Sequence, residues 1–248
     1  MWELYDRLID GIPEGIEVTS YVSGDIWTMV RTKYNTGVAM TVDVTSMEPV
    51  LTKDPTEYDL KSLAKCAKSW NLREASIGIA AINAYYNSEP EIYKYNEALD
   101  GSDKEDAFVL FGDEMEGKKV AVIGHFPFIE KNLRDKCELT VLERNPKKGD
   151  YPDPACEYIL ADQDYILVTG STLVNKTLSR LLQLKKEGTK LMMVGPSVTM
   201  SSVLYDFGAD VLSGMVVEDA DEAEEIIRKD SCRGIFKAGK MINLVKKH

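Results

Sequence analysis

The spacing of apolar positions changes its period along this chain, and each change predicts an element. Trp2, Leu4, Tyr5, Leu8 and Ile9 recur at helical spacing with acids between them, which predicts a helix over Met1–Asp10. Pro13 and Gly15 stop it. Ile16–Ser23, Ile26–Tyr34 and Val38–Val44 are rich in Val, Thr, Tyr and Trp and predict three strands of an antiparallel meander. Asn35-Thr36-Gly37 reads as its last turn, with Gly37 suited to positive φ. Two helices follow, Leu60–Ser69 and Leu72–Tyr86, the second capped by Asn71. Its stretch Glu74–Ala84 is small and apolar all round, the composition of a buried helix packed closely on other backbone. Asn83 sits in that surface. A buried amide needs partners, so Asn83 is either a structural hydrogen-bonding group or a residue facing a cleft. Asn87–Met115 is polar and reads as a connection with one or two short helices.

After Glu116-Gly117-Lys118 the period alternates between strand and helix. Lys119–Gly124, Glu138–Leu142, Tyr165–Thr169, Lys190–Gly195 and Val211–Met215 read as strands. Phe128–Asp135, Pro154–Ala161, Thr172–Lys186, Met200–Phe207 and Asp219–Lys229 read as helices. Continuously apolar strands separated by helices imply a parallel sheet covered on both faces, wound by right-handed crossovers. The expected class is α/β, with an N-terminal α+β domain over residues 1–100 and a Rossmann-like doubly wound domain over 101–248.

Composition narrows the partners. The chain has 248 residues, 44% of them hydrophobic, and a net charge of −11. An acidic balance argues against nucleic acid. No apolar run reaches the ~18 residues of a membrane span, and residues 1–10 carry three acids and no signal core. Cys66, Cys137, Cys156 and Cys232 are widely spaced, without a CxxC pair. They read as free thiols of a reducing cytoplasm. A homo-oligomer is compatible with all of this.

In open parallel sheets ligands bind beyond the carboxyl ends of the strands, at the point where strand order reverses. That rule selects Gly124-His125-Phe126-Pro127, Glu143-Arg144-Asn145-Pro146, Thr169-Gly170-Ser171-Thr172, Gly195-Pro196-Ser197 and Ser213-Gly214. Glu143 lies 19 positions after Gly124, the offset of a ribose-binding acid, but the glycine-rich half of the dinucleotide fingerprint is missing. Phe126 and Pro127 would also block close backbone approach to a phosphate. Ser171 and Thr172 enter a helix with Asn175 one turn on. They are candidate anion ligands or plain helix caps, and Ser197 repeats the pattern. His125 stands alone apart from the terminal His248. It is a metal ligand, a proton carrier or a hydrogen-bond donor, and a metal there would need carboxylates such as Glu143. The Asp219–Glu225 acids read as a solvated helix start.

These motifs together resemble a known family, the one called putative heavy-metal chelation. Gly-His-Phe-Pro, Glu-Arg-Asn-Pro, Thr-Gly-Ser-Thr and Gly-Pro-Ser carry the resemblance, with the helix segment Ala75–Ala84. It spans nearly the whole chain. It implies an enolase N-terminal-like domain followed by a Rossmann-like one, and an inferred role in handling heavy metals or metal chelators, with ties to anaerobic cobalamin-type pathways. It implies that Asn83, His125, Pro127, Glu143, Arg144, Pro146, Gly170, Ser171, Thr172, Gly195, Pro196 and Ser197 meet at the interface of the two domains. The expected function is binding of a metal chelate or small anionic ligand in an interdomain cleft. A heavy or transition metal ion would sit on His125 and Glu143. Ser171, Thr172 and Ser197 would hold anionic oxygens, and Phe126, Arg144 and Asn175 would line the site. The alternative is an enzyme, a lyase or transferase with a nucleotide-type or S-adenosylmethionine-type cofactor.

Overall fold

The computed structural model describes residues 2–98, 107–126 and 132–246. They form a mixed α/β fold with two sheets. Helix α1 (Glu3–Asp10) leads into strands β1 (Val18–Ser23), β2 (Trp27–Thr32) and β3 (Thr36–Met40), an antiparallel sheet in that order. Helix α2 (Leu60–Ala64) runs on as a tighter turn over Lys65–Lys68. Helix α3 (Leu72–Tyr86) follows, and the Asn71 side chain caps it by accepting from Glu74 N at 3.3 Å. Its entry is as expected.

The small residues of α3 are explained by what touches it. A β-carbon on Gly78 would stand 2.0 Å from Ala67 N, and one on Gly37 would stand 2.0 Å from Ala84 N and 2.2 Å from Ala80 O. The helix is thus clamped, backbone to backbone, between the turn after α2 and strand β3. Gly37 lies inside β3, not in the turn, and its φ is not positive. It is glycine for lack of room. The turn is Thr32–Asn35, held by Thr32 Oγ1 accepting from Tyr34 N and Asn35 N. Glu74 is buried but satisfied, since its carboxylate accepts from Val50 N, Leu51 N and Ser69 Oγ at 2.7–2.8 Å.

After α4 (Glu89–Tyr95), strand β4 (Asn96–Ala98) and α5 (Ala107–Leu110) come the remaining strands: β5 (Lys119–Ile123), β6 (Glu138–Glu143), β7 (Tyr151–Pro152), β8 (Tyr165–Thr169), β9 (Lys190–Val194), β10 (Val211–Val217) and β11 (Gly239–Lys246). The second sheet has the order β4-β11-β10-β9-β8-β5-β6-β7. From β7 to β10 it is parallel, and β11 and β4 add antiparallel pairs at one edge. Neither β4 nor β11 is foreseen by the periodicity: β4 is a three-residue edge strand, and β11, between β4 and β10, does not alternate apolar and polar positions. The chain works outward from β5 through β6 to β7, then returns to β8 on the other side. Strand order therefore reverses between β5 and β8.

The helices of this half are shorter than their sequence spacing predicts: α6 (Cys156–Ile159), α7 (Ser171–Val174), α8 (Leu178–Leu184), α9 (Val203–Asp206) and α10 (Ala220–Arg228). The helix expected over Thr172–Lys186 is broken at Asn175–Thr177, where Lys176 has φ 67°. Asn175 Oδ1 accepts from Thr177 N and Thr177 Oγ1 there, and this local turn competes with helix. Pro127 and the first half of the helix expected over Phe128–Asp135 lie outside the described residues. One buried cluster joins Leu4, Leu8, Leu63, Ile79 and Ile82 to Ala121, Ile166, Val168, Leu173 and Leu191. The antiparallel sheet and the large sheet are thereby packed through a common interior. The Tyr5 hydroxyl donates to Leu173 O at 2.7 Å across that packing.

Gly37→Ala is expected to cost at least about 2 kcal/mol, because the new methyl meets backbone that cannot move aside. Gly15→Ala at φ 78° has open space around it and should cost only about 1 kcal/mol of backbone strain. Urea unfolding of the two variants measures the difference.

Candidate functional site

The carboxyl ends of β5, β6, β8, β9 and β10 share one edge, because these strands are mutually parallel. The residues expected at this edge sort into three groups.

The first group is consumed in holding the fold together. The loop after β9 carries Gly195 (φ 113°), Pro196 and a buried run from Ser197 to Ser201. Ser197 Oγ accepts from Met40 N at 2.8 Å, in place of the expected helix cap. The Asn83 amide donates to Val38 O at 2.8 Å and to Ser197 O at 3.2 Å, and its oxygen accepts from Thr199 Oγ1 at 2.6 Å. Asn87, one turn along, donates to Val198 O at 2.8 Å and Met215 O at 3.1 Å and accepts from Met200 N at 2.9 Å. Asn96 Nδ2 reaches Met200 O at 3.4 Å. Gly170 belongs to the same seam, for a β-carbon on it would stand 2.5 Å from Ser197 C and Val198 N. Of the two readings of Asn83, the geometry supports the structural hydrogen bond. Asn87 is missed by the sequence reading, although its place four residues after Asn83 on an apolar helix is the signal that finds it.

The second group sits at the tips of β5 and β6. Gly124 adopts φ 104°, and a β-carbon there would lie 3.1 Å from Thr169 Cγ2. The Phe126 ring covers this place, within 3.7 Å of the β-carbon positions of both Gly124 and Gly195, and packs on Phe108 at 5.2 Å between centroids. His125 Nδ1 lies 3.2 Å from Asp150 Oδ2, which also accepts from Lys147 N at 2.9 Å. Asp150 is nearly buried, with 8% of its side chain exposed against 22% for His125. An ionised carboxylate only accepts, so it fixes the proton of a neutral imidazole on Nδ1 and leaves the Nε2 lone pair free. Asp150 carries no motif and was not foreseen. Glu143 is engaged in its own turn. Its Oε1 accepts from Arg144 N at 2.8 Å and Asn145 N at 3.2 Å. Arg144 reaches Asp153 Oδ2 through Nε at 3.3 Å and an Nη at 3.0 Å.

The third group surrounds α7. Thr172 Oγ1 donates to Thr169 O at 2.7 Å, and Ser171 Oγ lies 3.2 Å from Thr169 Oγ1. Neither hydroxyl caps α7, whose preceding residue is Gly170. Asn175 lines a recess together with Trp70. Beside them the Lys176 amine donates to Val174 O at 2.8 Å and lies 5.7 Å from the centre of the Trp70 ring. Burial lowers its pKa to about 8.

The donor set for a bare metal ion is thin. Among the described residues no three His, Cys, Asp or Glu side chains gather in the manner of a metal site. Burial pushes the thiols of Cys66 and Cys156 up to about 12 and raises that of Cys137 as well, so none of the three offers a thiolate at neutral pH. No helix of the described residues is long and apolar enough to cross a membrane.

Two family models match the chain, over residues 5–86 and 106–246, and both are described as putative heavy-metal chelation. A crystal structure of a protein of unknown function from Desulfitobacterium hafniense superposes with a TM-score of 0.89 at 39% identity, over 100% of this chain and 99% of that one. One from Pyrococcus horikoshii, also of unknown function, superposes at 0.76 and 23% identity over 98% of each chain, a likeness of fold. An uncharacterised protein of Methanocaldococcus jannaschii is 28% identical over 186 residues, 72% of this chain and 68% of that protein.

Asn87→Ala strands Val198 O and Met200 N in a dry interior. It should cost about 3 kcal/mol, read by urea unfolding, and should speed hydrogen exchange at the Met200 amide. Lys176 gives a pH signature. Its ordinary value is 10.5 and its folded value about 8. Between those two values the unfolded chain holds a proton that the folded chain has shed, so this group's contribution to stability rises with pH across that window. Lys176→Met removes the rise. Relative to wild type the variant should therefore be most stabilised near pH 7, with the advantage shrinking toward pH 10.5 in parallel urea titrations.

Proposed function

We propose a function for this chain from one premise: it belongs to the putative heavy-metal chelation family. The reading is that it binds a metal already wrapped in a small anionic chelator, held at the tips of β5 and β8 rather than captured as a bare ion. The observation that carries it is the His125–Asp150 pair at 3.2 Å, without a third donor among the described residues. A bare transition metal needs several protein ligands. A chelated metal brings most of its own and needs a single axial donor, as haem iron takes from its proximal histidine. His125 Nε2 is that donor. Asp150 holds the imidazole in the tautomer that leaves Nε2 able to ligate. Phe126, next in the chain and seated over the glycine tips, adds an apolar wall for the body of a chelator. Thr169 packs against Gly124, and the Thr169 and Ser171 hydroxyls at the β8 tip are offered to its anionic oxygens. Small rearrangements of Glu143 would be needed to add a carboxylate ligand, because its oxygen now serves its own turn. The same engagement weakens the alternative of a nucleotide-type cofactor, whose ribose Glu143 would have to bind.

Hemin, dicyanocobinamide and nickel nitrilotriacetate, each titrated beside cobalt and nickel chloride, test the reading. At least one chelate should bind with an absorbance change typical of imidazole ligation, while the bare ions bind weakly. His125→Ala should abolish that change, added imidazole should restore it, and Asp150→Asn should weaken binding by about tenfold or more. Stoichiometric binding of a bare ion that survives His125→Ala would overturn the proposal.

A further inference from the structure

The break in the helix after β8 creates a second feature, which the chelate reading does not use. An open recess of about 370 Å³ is lined by Val44, Ser46, Met47, Trp70, Leu72 and Asn175. That volume is in the range of small-molecule sites. Three of its apolar walls are unusually exposed, Val44 at 43% and Met47 and Trp70 at 56% each. Large apolar groups gathered on one exposed surface mark a contact for something else.

The residues lining this recess are uncharged, and Lys176, next to Asn175 in the chain and 5.7 Å from the centre of the Trp70 ring, is a cation beside it. No Asp or Glu lines it, although acids outnumber bases by 11 in the whole chain. Asn175 has its amide oxygen occupied by Thr177 N and Thr177 Oγ1, so its NH2 is the end left to meet a ligand. The Lys176 amine is half-buried, and among the described residues its partners are a backbone carbonyl and the Trp70 ring, with no carboxylate. Most of the described lysines and arginines do pair with acids, for example Lys185 with Asp210 at 2.5 Å and Lys190 with Glu114 at 3.0 Å. A cation taken out of water without a counter-charge is costly. The backbone adds to that cost, because Lys176 holds φ 67°, a conformation that side chains with a β-carbon rarely adopt. Strain and an unmatched charge at one residue, beside an aromatic wall and a cavity, are the marks of a site waiting for its anion.

We infer that the recess between Trp70 and Asn175 binds a small planar organic anion, an aromatic carboxylate by class, whose ring packs on Trp70 and Met47 and whose carboxylate is met by Lys176 and the Asn175 amide. The inference does not rest on the chelate reading. The two sites are separated by α7, with Ser171 at its start and Asn175 just past its end, and each is read by a different signal.

The test uses the full chain, labelled with 15N, and two probes of the same shape: 2-naphthoate and its neutral analogue 2-naphthamide. The indole N–H resonance of Trp70, assigned with Trp70→Phe, reports occupancy. In wild type, naphthoate should shift that resonance and bind about tenfold or more tightly than naphthamide, the worth of one charge-assisted hydrogen bond. Lys176→Met should bring the ratio to about one, and Lys176→Arg should keep most of it. Equal binding of the two probes by wild type would overturn the inference whether or not Lys176→Met folds. So would a Trp70 resonance that neither probe moves, or a preference for naphthoate that persists in a folded Lys176→Met.

Discussion

The structure depends on one requirement: the buried loop Ser197–Met200 must find a partner for each of its polar groups without water. A dry backbone group left unpaired costs as much as a lost hydrogen bond. Val198 N finds Gly195 O within the loop, and most of the other partners come from the first half of the chain. Asn83 on α3, Asn87 just past its end, and Asn96 after α4 supply amides. Ser197 answers by accepting from Met40 N of β3. These bonds have direction, so they fix the register between the two sheets in a way that apolar packing alone does not. The common hydrophobic interior then adds its undirected attraction to an interface whose geometry is already set.

Close backbone approach makes the loop reachable. Gly37 lets β3 lie on α3, Gly78 lets α3 lie on the turn after α2, and Gly170 lets the start of α7 touch Ser197 and Val198. Each is a place where a methyl group would collide with backbone rather than with a side chain that could turn away. The glycines and the asparagines are therefore two halves of one device, the first removing bulk so that the second can reach.

That device also decides what is left for binding. Ser197, Asn83 and Gly170 resemble site residues by type and place, but their polar atoms or their lack of bulk are spent on the seam. Glu143 is spent on its own turn. Groups that keep unspent capacity include His125, aligned by Asp150, the Asn175–Lys176 pair beside Trp70, and the buried Ser213 hydroxyl of β10, which has no hydrogen-bond partner. The first two lie where the chain departs from regular structure, one after a glycine at φ 104° and one at a helix break. Regular elements pair their own polar groups, and interruptions release them.

Much of this was legible in the sequence. Leu72–Tyr86 declares itself a buried helix through its small apolar residues and its Asn71 cap, and β5, β8 and β9 declare themselves through short β-branched or apolar runs that end in glycine or threonine-glycine. These features depend on neighbours a few residues away, and local periodicity, capping and turn chemistry encode them. The spatial order of the strands, with its reversal between β5 and β8, comes from the folded sheet. Tertiary structure alone decided the rest. Whether Asn83 faces a cleft or the Ser197 loop depends on a residue 114 positions away. Whether Gly37 serves a turn or a contact depends on α3. Asp150 becomes the partner of His125 only when the loop after β6 folds back on the β5 tip, and Lys176 meets the Trp70 ring, 106 positions away in sequence, only in the folded chain. A residue type fixes which bonds a side chain is able to make, and the three-dimensional neighbours that reach it fix which of them it does make.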